Sequence, residues 1–199
     1  MEWALDHRRS GVVALGLSGF ESEPNEPFAE HFRVAADEGL RRVAHAGEHA
    51  GPESIRSVLE VCGAERVGHG ISAAEDPELM EHLTAADIPL EVCPTSNIRL
   101  GAVTDLESHP FDRLLRAGVP VTLNTDDPAF FDTTLSDEYL KMADIFGYGE
   151  QELAAIARTA LRKAFVSDAA RQRLAAEFDR QLAELGEELF GAPFEPIAE

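Results

Sequence analysis

Apolar and polar positions along the chain switch repeatedly between two periods. GVVALGLSG (11–19) is a short β-branched run closed by glycine and predicts a strand. EPFAEHFRVAADEGL (26–40) places Phe28, Phe32, Ala35 and Ala36 at helical spacing and stops near Gly39, which predicts a helix. The same pair of signals recurs. Further strands are expected at 41–45, 65–70, 88–94 and 119–128, with helices at 51–63, 76–87 and 109–118 between them. Beyond the last strand the pattern is helical, at 136–146, 150–164 and 168–189.

Strands that alternate with helices imply a parallel α/β sheet. An open doubly wound sheet and part of a (β/α) barrel both satisfy that order. The polar residues choose between them. His45, His69, Asn97, Asp126 and Asp127 fall at or just after the C-terminal ends of different strands. A barrel active site collects side chains from strand after strand, whereas an open sheet concentrates them at one switch point. The barrel is favoured. No repeat, low-complexity segment or linker divides the chain, so residues 1–199 are expected to form a single domain.

Composition narrows the chemistry. The chain has 17 Lys and Arg against 37 Asp and Glu, a net charge of -20, and its longest basic run is Arg41-Arg42. Such a surface repels phosphate backbones and argues against nucleic-acid binding. Cys62 and Cys93 are far apart and form no CxxC unit, which fits a cytoplasmic setting. The start, MEWALDHRRSG, has no apolar signal core, and no apolar run approaches the ~18 residues of a membrane span.

Three constellations stand out. In RRVAHAGE, His45 ends a strand and Glu48 follows across a small turn. The pair reads as a metal ligand with a proton carrier, or as a structural histidine with a carboxylate that caps the next helix. In RVGHG, His69 ends the next strand between two glycines and is either a second site imidazole or a core histidine. In NTDDP, Asp126 and Asp127 adjoin at the end of an apolar strand. Adjacent acids there repel unless a divalent cation takes one of them. An N-cap role before Pro128 accounts for Asp127 and leaves Asp126 unexplained. Imidazole with carboxylate is suitable zinc ligation, but His45 and Asp126 alone are too few.

HAGE (45–48), ERVGHG (65–70), CPTSN (93–97) and NTDDP (124–128), in this order and spacing, resemble the adenosine deaminase family of metal-dependent hydrolases. GLSGFE (16–21) resembles that family's strand-four loop, with Phe20 where an acid is usual. The resemblance runs from about residue 11 to 170. It implies a (β/α)8 TIM barrel with one catalytic Zn2+, of which this chain would hold about strands 4–8. It places His45 and Asp126 on zinc ligands and Glu48 on the acid that protonates purine N1. His69 falls on the histidine that orients and deprotonates the zinc-bound water, and Asp127 on the acid that bonds that water and purine N7. Gly19 falls on the glycine whose N–H meets purine N3. CPTSN receives no catalytic role.

The family's His-x-His pair on strand one, two further zinc ligands, has no counterpart among the histidines at 7, 31, 45, 49, 69, 82 and 109. The chain therefore reads as the C-terminal part of a deaminase. The expected function is zinc-dependent hydrolytic deamination of a 6-aminopurine, with adenosine, adenine and aminofutalosine-type substrates open. The alternatives are an inactive remnant that serves as a binding or self-association module, since a half-open sheet has bare edges, and another metal hydrolase on the same barrel.

Overall fold

The computed structural model describes residues 1–194; residues 195–199 of the expected 1–199 unit lie outside the described residues. Five strands, β1 (Ala14–Leu17), β2 (Arg41–Ala46), β3 (Arg66–His69), β4 (Leu90–Val92) and β5 (Val121–Leu123), pair in parallel. Their spatial order is their chain order. That winding, with no reversal, is the wall of a barrel and not a doubly wound sheet. The wall is incomplete among the described residues, because β1 and β5 each have one strand neighbour.

The crossovers are α2 (Ala29–Asp37), α3 (Pro52–Val61), α4 (Pro77–Ala85) and α6 (Phe111–Arg116), and α1 (Glu2–Asp6) precedes β1. After β5 come α7 (Pro128–Phe131), α8 (Leu135–Phe146), α9 (Glu150–Lys163) and α10 (Asp168–Phe190). Local chemistry sets several ends. Asp76 caps α4 by accepting from Leu79 N–H at 3.0 Å, with Pro77 in the first turn. Thr134 and Asp137 form a reciprocal capping box on α8.

Two expectations change in detail. The strands are shorter than their apolar runs, with 11–19 reduced to Ala14–Leu17 and 119–128 to Val121–Leu123. In addition, Pro94 both ends β4 and opens an unexpected helix, α5 (Pro94–Arg99), which carries the CPTSN side chains. Proline suits that first-turn position because its missing N–H has no helical partner there.

Register explains which strand face is buried. Ala44, Val67, Leu90 and Val121 stand side by side across β2 to β5, all essentially inaccessible. They join one apolar core with Ile55 and Val58 of α3, Leu79 and Leu83 of α4, and Phe111 and Leu114 of α6. The next row, His45, Gly68, Glu91 and Thr122, faces the other way and is polar. The helices therefore cover one face, and the interior face is left for chemistry.

Candidate active site

His45 closes β2 on the interior face. Its Nδ1 donates to the Leu17 carbonyl at 3.2 Å, which leaves Nε2 with a free lone pair. Gly68, its neighbour on β3, makes the room. A Cβ at that position would lie 3.0 Å from His45 Cγ. His69 should follow Ala46 to the helix-covered face, because the two are in register. A φ of 58° breaks the alternation, and its ring centroid lies 5.2 Å from that of His45. Burial pushes the His69 pKa below its ordinary value despite Glu48 nearby, so the ring is uncharged at neutral pH.

Glu48 does not cap α3. That helix has Gly51 at its N-cap and no side-chain cap. The Glu48 carboxylate instead turns inward, with Oε1 2.8 Å from Asn97 Nδ2 and 3.4 Å from His69 Nδ1. The loop that carries it is built around another residue, Glu21. Its carboxylate accepts the backbone N–H groups of Gly47, Glu48, His49 and Ala50 at 2.7 to 3.2 Å, and the Ser54 hydroxyl at 3.0 Å. Burial alone would raise the pKa of Glu21, but these donors outweigh it and hold the group below its usual value. Gly47 is required in this loop: its φ is 72°, and an added Cβ would collide with Ile55.

Asp126 also adopts a positive φ, 58°, just after β5. Its Oδ2 accepts the Ser96 hydroxyl at 2.7 Å and lies 4.0 Å from His69 Nε2. Asn97, fully buried, donates to Glu48 and faces His69 Nδ1 at 3.1 Å, while its Oδ1 faces His109 Nε2 at 3.3 Å. The CPTSN stretch, read from sequence as having no catalytic role, thus holds two groups that contact the candidate residues, Ser96 and Asn97. Buried Glu138 of α8 anchors the same helix by accepting from Thr95 N–H and Thr95 Oγ1 and pairing with Lys141.

His45, His69 and Asp126 line one cavity of about 540 Å³. Glu48 reaches His69 from behind and lines a neighbouring cavity with His109. Gly19 and Asp127 are exposed in the loops after β1 and β5 and line neither. Asp127 sits at the N-cap of α7 but makes no side-chain cap bond, so a capping role does not account for it either. Glu21, Ser96 and His109 were missed by sequence reading, and Asn97 was placed at a strand end but given no role; the signal for Glu21 was its place in GLSGFE, beside the residue that drew attention.

The donor chemistry fits one side of a zinc site. His45 presents Nε2 while its other nitrogen is fixed by a carbonyl, the arrangement typical of a ligating histidine. Asp126 keeps Oδ1 free of Ser96. Among the described residues, however, no three His, Cys, Asp or Glu side chains are grouped to hold a metal ion.

A family model described as adenosine deaminase matches residues 1–181. The chain is 45% identical over 177 residues to the aminodeoxyfutalosine deaminase of Streptomyces avermitilis, covering 88% of this chain and 49% of that protein. It is 41% identical over 175 residues to the adenosine deaminase of Shewanella loihica, covering 87% and 53%. Among solved structures, the adenine deaminase of Arthrobacter aurescens superimposes with a TM-score of 0.82 at 34% identity, covering 90% of this chain and 57% of that one. The chain spans about half the length of the curated relatives it matches.

Proposed function

The chain belongs to the adenosine deaminase family, and we propose that it carries part of the active site of a zinc-dependent aminohydrolase. The reaction is replacement of the 6-amino group of an aminopurine nucleoside or base by oxygen, with release of ammonia. What supports this most is one convergence: His45, His69 and Asp126, from the ends of three strands, meet at one cavity, and Glu48 touches the middle one.

His45 Nε2 and Asp126 would hold the zinc, which when bound, with further donors, would supply a water that is acidic near neutral pH. Glu48 gives a proton to purine N1 as oxygen adds at C6, so negative charge does not build on the ring. Asn97 and the Glu21-bound loop hold that carboxyl in place. Uncharged His69 hydrogen-bonds at the reacting centre. Gly19 N–H donates to purine N3, and Asp127 donates to N7 once its carboxyl carries a proton. Of the two protons of the water, one leaves with the 6-amino group as ammonia and the other restores the Glu48 carboxyl as the 6-oxo product forms. Adenosine, adenine and aminodeoxyfutalosine are the substrates to compare, because the relatives divide among those names. Two buried free cysteines, Cys62 and Cys93, suit a cytoplasmic setting.

The test is ammonia release from each substrate by residues 1–199 joined to the N-terminal half of the Streptomyces avermitilis relative. Turnover of at least one substrate is expected. A folded, zinc-loaded fusion that releases none rejects the aminohydrolase reading. The absence of a three-donor group among the described residues supports a second reading, an inactive module that associates through the free edges of β1 and β5. A single monomeric species in sedimentation at all concentrations removes it.

A further inference from the structure

A series of hydrogen bonds leads from a backbone N–H to the rim histidine, and its first member can only donate. Phe111 N–H meets His109 Nδ1 at 3.1 Å, so Nδ1 accepts and the ring proton of neutral His109 sits on Nε2. His109 Nε2 faces Asn97 Oδ1 at 3.3 Å, and this bond decides which way the amide turns. Asn97 Nδ2 then faces Glu48 Oε1 at 2.8 Å and His69 Nδ1 at 3.1 Å, one amide hydrogen for each. His69 Nδ1 must offer its lone pair, so the His69 proton sits on Nε2, the nitrogen nearest Asp126. His109, Asn97 and His69 are 3%, 0% and 2% exposed, so water does not compete for these bonds.

We propose that His109 and Asn97 are positioning residues that hold His69 in its Nε2–H tautomer, so that His69 meets the cavity as a hydrogen-bond donor and not as a proton acceptor. The proposal rests on the reading of this cavity as the reaction site. The competing arrangement has His69 Nδ1–H donate to Glu48 Oε1 at 3.4 Å. That requires the Asn97 amide to turn over and point its NH2 at His109 Nε2. The His109 proton must then move to Nδ1, where it opposes Phe111 N–H. Two buried donors would face each other without an acceptor, a heavier loss than one long contact to a carboxylate. An Nε2–H group can bond a reacting oxygen and stabilise negative charge on it, but it cannot take that oxygen's proton. The acceptor on that side is then a carboxylate of the Asp126-Asp127 pair.

The experiment is 15N NMR of the histidine side chains in chelator-treated residues 1–199 at a pH about two units above the ordinary histidine value, where tautomer and not charge is read. Wild-type His69 and His109 are both expected as single Nε2–H tautomers. Replacement of the amide donor by an acceptor, Asn97→Asp, is expected to switch His69 to Nδ1–H. His109→Phe keeps ring volume and removes both polar atoms, and is expected to leave His69 a mixture. Nδ1–H or an averaged signal for His69 in the wild type overturns the proposal, as does a pure Nε2–H signal in His109→Phe. If that variant fails to fold, the wild-type and Asn97→Asp spectra decide. No turnover is needed, so the two failures are distinct: an inactive zinc-loaded fusion rejects the deaminase reading, while the tautomers in residues 1–199 decide whether His109 and Asn97 position His69.

Discussion

His69 and Asp126 both hold a backbone conformation that side-chained residues avoid, with φ of 58° at each. Such a position costs on the order of 1–2 kcal/mol, less for aspartate than for histidine. The strain turns each side chain out of strand alternation and toward the cavity, and RVGHG and NTDDP give no hint of it. What those motifs and HAGE did show was the residue types and their strand-end positions; the structure places His45, His69 and Asp126 at one cavity with Glu48 against His69. Glu48→Gln keeps the shape and the Asn97 contact but has no carboxyl proton to give. Ammonia release by the fusion should fall about 100- to 10,000-fold, with zinc content unchanged; near-normal release would remove the role assigned to Glu48. Burial pushes His109 from 6.5 down to about 4. Between those values the unfolded chain binds a proton that the folded chain refuses, so stability falls as pH falls from 6.5 toward 4, by about 3 kcal/mol in all. Urea unfolding across that range should show a shallower pH dependence in His109→Phe than in the wild type, and equal slopes would contradict the assignment.

At the scale of elements, the loop after β1 builds the loop after β2. Glu21 accepts four consecutive N–H groups, 47 to 50, in the turn ahead of α3, and Gly47 N–H is shared with the Ser54 hydroxyl at 2.8 Å. Sequence reading treated Glu48 as a possible cap for that helix because it is near in sequence; α3 has no side-chain cap, and the carboxylate that organises the turn ahead of it comes from 27 residues before Glu48. Contacts of that range leave no periodic trace. The same holds for α5, where Ser96 and Asn97 meet Asp126, Glu48 and His69 across 28 to 49 residues. Glu21→Ala should speed hydrogen exchange at the amides of 47–50 and cost on the order of 2–3 kcal/mol in urea unfolding. Unchanged protection at those amides would show that Glu21 does not organise the loop.

For the whole molecule, the alternation of apolar runs was a sound guide because each strand is covered on one face by its own crossover helix, and the register row Ala44, Val67, Leu90, Val121 makes that coverage continuous. The strand ends were less legible: Val12 and Val13 before β1 and Val119 before β5 continue the apolar pattern outside the strands, and nothing in the pattern marks Leu17 and Leu123 as the last strand residues ahead of the loops that carry Gly19 and Asp127. The site as described is one-sided. It has His45 and Asp126 as the proposed donors and His69 and Glu48 beside them, with no three-donor group among the described residues. Two donors in place of four hold zinc far less firmly and fix the geometry of its water poorly. The most direct measurement is zinc content of purified residues 1–199 after dialysis, beside that of the fusion with the relative's N-terminal half. The account predicts well under one equivalent in the chain alone and one in the fusion; a full equivalent in residues 1–199 alone, lost on His45→Ala, would contradict it.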